Sequence, residues 1–313
     1  METKFSGSVK IPTPVDKPAR CAYVTLLTSN EYLTPTLVLN YSLQRAGSKY
    51  KLLVLKTANL APEVVDALHF YGIEMREVEP IGNPAARQHL KNLWRRLRGS
   101  MKNINLYTTV YTKLRIWQLY DFNKIVFLDS DMMVLRNPDS LFSAPNWSAV
   151  NSGAELAQYK HWVGLNSGLL VVEPSESVFT DMMQKVPIIK SFDRGDQGFI
   201  HAYYPNWPTS PELQLPHSYN MPVEFLDQYC SELGYRLDAD PGQDEKSIAI
   251  VHYWRTHRPW IRPIATLDRN LFVTQPNYAK AFFMWIEAYS QLLRDSLIRP
   301  KDFGGVLEHV AKP

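Results

Sequence analysis

The sequence predicts an α/β protein with a mostly parallel central sheet, and three observations carry that prediction. Apolar runs of strand length alternate with helical patterns from Cys21 onward, as crossover helices between parallel strands require. In Lys124–Leu135, the unbroken run Ile125–Leu128 reads as a strand buried on both faces. That run ends in Asp129 and Asp131, and open α/β sheets bind ligands at the carboxyl ends of their strands.

The elements follow in order. Residues 1–20 carry Pro12, Pro14 and Pro18 with little apolar content, and read as a flexible leader. Cys21–Leu27 is a strand. Thr34-Pro35 then opens a helix to about Ala46, stopped by Gly47. Lys51–Leu55 is a strand, Pro62–Phe70 a helix and Glu74–Val78 a weaker strand. Pro84–Lys102 is a basic segment with Leu90, Leu93, Trp94 and Leu97 at helical spacing. It suits a solvated amphipathic helix, a basic flap over an anionic ligand, or a membrane or partner contact. Tyr107–Leu119 reads as a helix leading into the acidic strand. Trp147–Val150 and Gly164–Val172 contain strands, Glu176–Lys185 is a helix, and Ser191–Ala202 is a turn entering a helix. Pro205, Pro208, Pro211, Pro216 and Pro222 make residues 203–222 a long surface loop. Ser247–His252 is a further strand. Over Asn277–Leu297, the apolar residues Phe282, Trp285, Ile286, Tyr289, Leu293 and Leu297 mark an amphipathic helix.

Composition narrows the function. At 313 residues and 45% apolar content, the chain can build one large α/β domain or two small ones. A net charge of +3 gives no reason to expect nucleic acid. Cys21 and Cys230 are the only cysteines, which points to a reducing compartment without a disulfide framework. The amino-terminal stretch over residues 1–20 shows no apolar run of signal-peptide length, and no stretch reaches the roughly 18 apolar residues of a membrane span. The expected setting is the cytoplasm.

Asp129 and Asp131 carry the strongest chemical signal. If the strand stays extended, side chains two apart point the same way, and the two carboxylates repel. A hard divalent cation relieves that repulsion and keeps open positions for phosphate oxygens. An acidic turn capping the strand would also satisfy the pattern. Taken alone, His252 fits an ordinary buried histidine; its place at the end of an apolar strand, after an Asp-x-Asp, favours a metal ligand.

Phe127-Leu128-Asp129-Ser130-Asp131, Asn166-Ser167-Gly168, Gly195-Asp196-Gln197-Gly198, His252 and Pro259-Trp260 occur in that order. The run from Cys21 to about Trp260 resembles glycosyltransferase family 8, the group of glycogenin and galactinol synthase. The resemblance implies a retaining, Mn²⁺-dependent hexosyltransferase on a GT-A fold, with a UDP-sugar donor and a hydroxyl acceptor. Residues 21–270 would form the GT-A domain and 271–313 a helical extension packed on it. By the same resemblance Asp129, Asp131 and His252 hold the metal. Leu26, Thr28 and Tyr32 match the uridine-binding strand and loop, Lys113 a donor-contacting lysine, and Ser130 a position near the ribose. Asn166 and Ser167 match sugar contacts, and Asp193, Asp196 and Gln197 the group around the anomeric carbon. Arg258 stands where the family has a diphosphate-binding lysine, and Ser29 where it usually has asparagine. The His ligand favours Mn²⁺ over Mg²⁺, which prefers all-oxygen shells. Homodimers are frequent in the family.

UDP-glucose and UDP-galactose are the expected donors, with UDP-N-acetylglucosamine and UDP-glucuronate open. The acceptor is expected to be a separate polyol, glycan or protein. Glycogenin glucosylates its own tyrosine beyond a Tyr-Asn pair, but here Tyr219-Asn220 is followed at that distance by Asp227, with Tyr229 nearby. A phosphohydrolase of the haloacid dehalogenase type and a non-catalytic nucleotide-sugar binder are the competing readings.

Overall fold

The strand that ends at the acidic pair, Lys124–Leu128, lies in the middle of the molecule's main sheet. In the computed structural model, the described residues are 20–83, 109–153, 155–237, 244–254, 258–261 and 269–297. The strands are β1 (Cys21–Leu27), β2 (Leu52–Lys56), β3 (Glu74–Glu77), β4 (Lys124–Leu128), β5 (Met132–Val134), β6 (Ala149–Asn151), β7 (Leu165–Val172), β8 (Gln214–Leu215), β9 (Met221–Pro222) and β10 (Ile250–His252). The helices are α1 (Leu33–Arg45), α2 (Pro62–Phe70), α3 (Glu176–Lys185), α4 (Asp196–Tyr203), α5 (Leu226–Leu233), α6 (Arg269–Thr274) and α7 (Pro276–Leu297). A 7-stranded sheet runs β3-β2-β1-β4-β7-β6-β8, and a 3-stranded sheet runs β5-β10-β9. In the large sheet β7 is antiparallel to both β4 and β6, and the other pairs are parallel.

Period-two alternation explains the unbroken apolar run in β4. Ile125 and Phe127 join the core on one face, and Val126 and Leu128 join the core on the other. The neighbouring strands alternate in step: Val24 packs with the first core and Tyr23 with the second. Helix α1 ends where the sequence predicts. Gly47 adopts φ +71°, and the Ser48 amide donates back to the Leu43 carbonyl at 3.1 Å. Helix α3 starts from Ser175, whose hydroxyl accepts from the Val178 amide.

Several expectations change. The chain does not stay extended through the acidic pair: it turns after Leu128, with the Met132 amide donating to the Asp129 carbonyl at 3.3 Å. The helix expected over Tyr107–Leu119 is, among described residues, a 3-10 helix over Thr112–Gln118. Thr112, Lys113, Leu114, Ile116 and Trp117 are all buried, and only Arg115 and Gln118, three residues apart, reach solvent, which is the spacing of a 3-10 turn. The proline-rich stretch 203–222 is not a surface loop. Trp207, Leu213, His217, Asn220 and Met221 are buried, and β8 and β9 add edge strands. Its backbone is satisfied by short 3-10 turns, such as Thr209 N–H to the Asn206 carbonyl at 3.1 Å. The basic segment Pro84–Lys102 and all but the last residue of the leader lie outside the described residues.

Helix α7 is built into this framework. Its buried side chains include Tyr278, Ala281, Phe282, Trp285 and Leu292, a stripe rotated from the predicted one, and Leu297 is 67% exposed. Asp227 on α5 accepts from the amides of Asn277 (2.9 Å) and Tyr278 (3.0 Å), satisfying donors left open in the first turn of α7. Tyr253, next to β10, donates to the Ala281 carbonyl at 2.8 Å. No helix among the described residues is long and apolar enough to cross a membrane.

Trp285 is the largest fully buried side chain of α7. Trp285→Ala is expected to lower unfolding free energy by about 3–5 kcal/mol in a urea titration. A loss under about 1 kcal/mol would show that the helix is not bound into the core.

Candidate active site

Strand register brings distant residues together at the carboxyl end of β4. Leu128 pairs with Leu169 of β7, and the Asp129 amide donates to the Gly168 carbonyl at 2.8 Å. Asp129 therefore sits beside the Asn166-Ser167-Gly168 segment. After the turn, β5 pairs with β10 so that Met132 faces His252, and the Tyr253 amide donates to the Asp131 carbonyl at 2.9 Å. β9 flanks β10 on its other side, with Pro222 opposite His252, which brings Asn220 to the same place. His252 Nε2 then lies 3.1 Å from Asp131 Oδ1 and 3.9 Å from Asp129 Oδ2. One ligand atom from each of Asp129, Asp131 and His252 can be chosen so that all lie within 4.8 Å of one another.

A single lysine binds the acids together. Lys113 Nζ lies 3.0 Å from Asp129 Oδ1 and 2.8 Å from Asp196 Oδ2, and also reaches the carbonyl and hydroxyl of Ser167. Ser167 Oγ donates to Asp196 Oδ2 at 2.7 Å, and its amide donates to Gln197 Oε1 at 3.2 Å. Burial works against the charge on Lys113, but Asp129 and Asp196 outweigh it and raise its pKa. Burial raises the Asp129 pKa, and Asp131 and Asp196 push it the same way against Lys113 and His252. Burial alone would lower the His252 pKa, yet Asp131 and Asp129 turn the balance and raise it. Three carboxylates face one ammonium here, leaving two negative charges when the imidazole is neutral. Two carboxylates and an imidazole around a net negative centre fit a divalent cation.

Arg258 lies over the Tyr32 ring at 5.4 Å, and Trp260 is 6.1 Å from that ring. Burial, then Asp131, pushes the Tyr32 hydroxyl up to about 12, so it stays protonated near neutrality. Arg258 Nε is buried and lacks a hydrogen-bond partner among the described residues. A buried guanidinium nitrogen in that state suits an anionic ligand. Ser130 is buried within the acidic turn. Leu26 and Thr28 end β1 and begin the loop to Tyr32; the Thr28 carbonyl accepts from Asn59 at 3.0 Å. Asp193 Oδ1 is committed to its own loop, accepting from Ser191 Oγ (2.6 Å) and the amides of Gly195 (2.8 Å) and Gly198 (3.1 Å). The sequence reading missed Asn220, which bridges Asn166 and His252.

Known proteins resemble this chain along most of its length. The profile of glycosyl transferase family 8 matches residues 23–263. Inositol phosphorylceramide glucuronosyltransferase 1 of Arabidopsis thaliana is 30% identical over 244 residues, covering 75% of this chain and 41% of that protein. Human glycogenin-1 is 32% identical over 243 residues, covering 76% of this chain and 62% of that protein. The chain thus spans less than half the length of the plant relative and under two thirds of glycogenin-1. The crystal structure of the galactosyltransferase LgtC with donor and acceptor sugar analogues aligns with a TM-score of 0.54 at 15% identity, over 91% of this chain and 99% of that one. At that identity the likeness speaks to the fold, which is GT-A. With the profile running from β1 past the acidic turn and His252, the chain belongs to glycosyl transferase family 8.

Proposed function

We propose that this chain transfers a hexose from a uridine diphosphate sugar to a hydroxyl on a separate acceptor, with retention at the anomeric carbon. The convergence of Asp129, Asp131 and His252, in a chain of this family, carries the reading. Those three residues would hold Mn²⁺, whose imidazole tolerance suits the donor set. When bound, the ion offsets the charge of the diphosphate. Arg258 supplies a bidentate fork for the same phosphates, and Tyr32 offers its ring near the path from β1. A cytoplasmic setting accords with a chain whose only cysteines are Cys21 and Cys230.

In the reaction, the bond from the anomeric carbon to the diphosphate oxygen breaks and a bond to the acceptor oxygen forms. The acceptor's proton passes to the departing diphosphate. Asp196 Oδ2 is already engaged by Lys113 and Ser167, which makes that carboxylate a poor covalent nucleophile. This supports a front-face reaction, with Asp196 and Gln197 orienting and stabilising the sugar. The acceptor is taken as separate because Tyr229 is buried, with its hydroxyl 2.8 Å from His217 Nδ1. Asp227 is likewise occupied in capping α7. Family membership sets the phosphohydrolase reading aside, and a turnover assay separates an enzyme from a passive binder.

Release of UDP from UDP-glucose, UDP-galactose and UDP-glucuronate is to be measured with and without Mn²⁺. Turnover of at least one donor is expected only with the ion. Asp129→Ala and Asp131→Ala are expected to lower kcat by about 10²–10³-fold or more. Full activity of either variant in chelated buffer would reject the metal role.

Incubation with the same donors is expected to leave the intact mass of the protein unchanged. Hexose additions mapped to Tyr229 would establish self-transfer instead.

The raised pKa values of Asp129 and His252 set a pH dependence. Without metal, their stabilising contribution is full below the unfolded-state pKa values and fades as pH rises through the folded ones. A cation must displace those protons, so its stabilisation should grow with pH. The Mn²⁺-induced rise in Tm is expected to be larger at about pH 8 than at about pH 6. An equal or smaller rise at the higher pH would contradict this linkage.

A further inference from the structure

We infer that Asn220 is a positioning residue that fixes the ring of His252 with Nδ1 protonated and Nε2 presented to Asp129 and Asp131. The inference rests on the metal reading above. Its basis is a hydrogen-bond relay whose direction is set at one end by a backbone amide.

The Gly168 amide lies 2.9 Å from one end of the Asn166 side chain. A backbone N–H can only donate, so that end is the Asn166 oxygen. The same oxygen is 3.1 Å from the side chain of Asn220, so the Asn220 end facing it is the NH₂ group. The Asn220 oxygen therefore faces His252 Nδ1 at 2.9 Å. An oxygen requires a donor there, so Nδ1 carries the proton. The free lone pair of a neutral ring is then on Nε2, the nitrogen 3.1 Å from Asp131.

The opposite tautomer meets a specific obstacle. With Nδ1 as acceptor, the Asn220 amide would flip and set its oxygen against the Asn166 oxygen at 3.1 Å. Asn220 is 2% exposed and His252 5%, so water cannot readily repair that contact. Close packing also limits rotation of the ring. A Cβ on Gly168 would stand 2.7 Å from His252 Cε1 and 2.9 Å from Asn166 Oδ1. Glycine at 168 thus lets the relay sit directly against the imidazole.

The relay also predicts a division of effects. Asn220→Ala removes both bonds. Asn220→Asp keeps an acceptor for Nδ1–H but loses the donor to Asn166. Mn²⁺ binding can be read by electron paramagnetic resonance of the free ion, with thermal unfolding of each variant measured alongside. Asn220→Ala is expected to bind Mn²⁺ about 10–100-fold more weakly than the parent. Asn220→Asp is expected to bind it at least as well as the parent while raising the donor KM. Parent-like Mn²⁺ affinity in a folded Asn220→Ala protein would overturn the inference. Loss of Mn²⁺ binding in Asn220→Asp would overturn it equally, and that near-isosteric variant decides the matter if Asn220→Ala does not fold. Asp131→Ala and His252→Ala serve as reference variants. If both retain Mn²⁺ binding, the metal reading fails; if both lose it while Asn220→Ala retains it, only the role of Asn220 fails.

Discussion

The site depends on keeping three carboxylates close together inside a folded chain. Asp129 and Asp131 share the turn between β4 and β5 and Asp196 opens α4, and mutual repulsion would drive the three apart in a low-dielectric setting. Lys113 is the fixed counter-charge. It is buried, its ammonium lies 5.0 Å from the centre of the Phe127 ring, and it bonds two of the acids directly. An ion pair in such surroundings gives little net stability, but removal of one partner strands a buried charge. The lysine therefore reads as a condition for assembling the acids, whatever it later touches on a substrate. Its charge leaves the centre negative, which keeps the site receptive to a cation.

Geometry of this kind needs more than one sheet. The large sheet places Asp129 against Gly168 through the β4–β7 register. The small sheet places Asp131 against His252 through the β5–β10 register. The turn over Asp129–Met132 joins the two sheets, so the acidic pair stands at their junction. An extended strand would have aligned the carboxylates on one face but would have carried β5 away from its partners. The turn gives up that simple alignment and gains His252.

Legibility in the sequence follows burial geometry. β4 was readable because a strand covered on both faces shows an unbroken apolar run, and α3 because an amphipathic helix keeps one solvent face. Thr112–Gln118 keeps only a narrow solvent edge at Arg115 and Gln118, and two exposed positions three apart do not separate a 3-10 turn from an α-helix. The acidic pair and His252 were readable from residue type and order, whereas the turn between the acids and β5 was not. Asn220 was hidden for another reason. Its segment is dense in proline, a composition typical of surface loops, yet Trp207 and Met221 anchor it in the core. Proline forbids regular pairing along a stretch, but it does not forbid burial when short turns satisfy the backbone.

The two halves of the site share one tripeptide. Ser167 bonds Lys113, Asp196 and Gln197, the residues assigned to the sugar. Asn166 and Gly168 bond Asn220 and Asp129, on the side assigned to the cation. These three residues occupy one end of β7, a strand buried between β4 and β6, so they move little relative to one another. A shift at His252 therefore reaches the sugar side through a few stiff hydrogen bonds rather than through a loop. In a transferase the same rigidity has chemical value, because the leaving diphosphate and the anomeric carbon are adjacent atoms of one donor. Charge compensation at one and orientation at the other must be held in a common frame, and β7 is the element that supplies it.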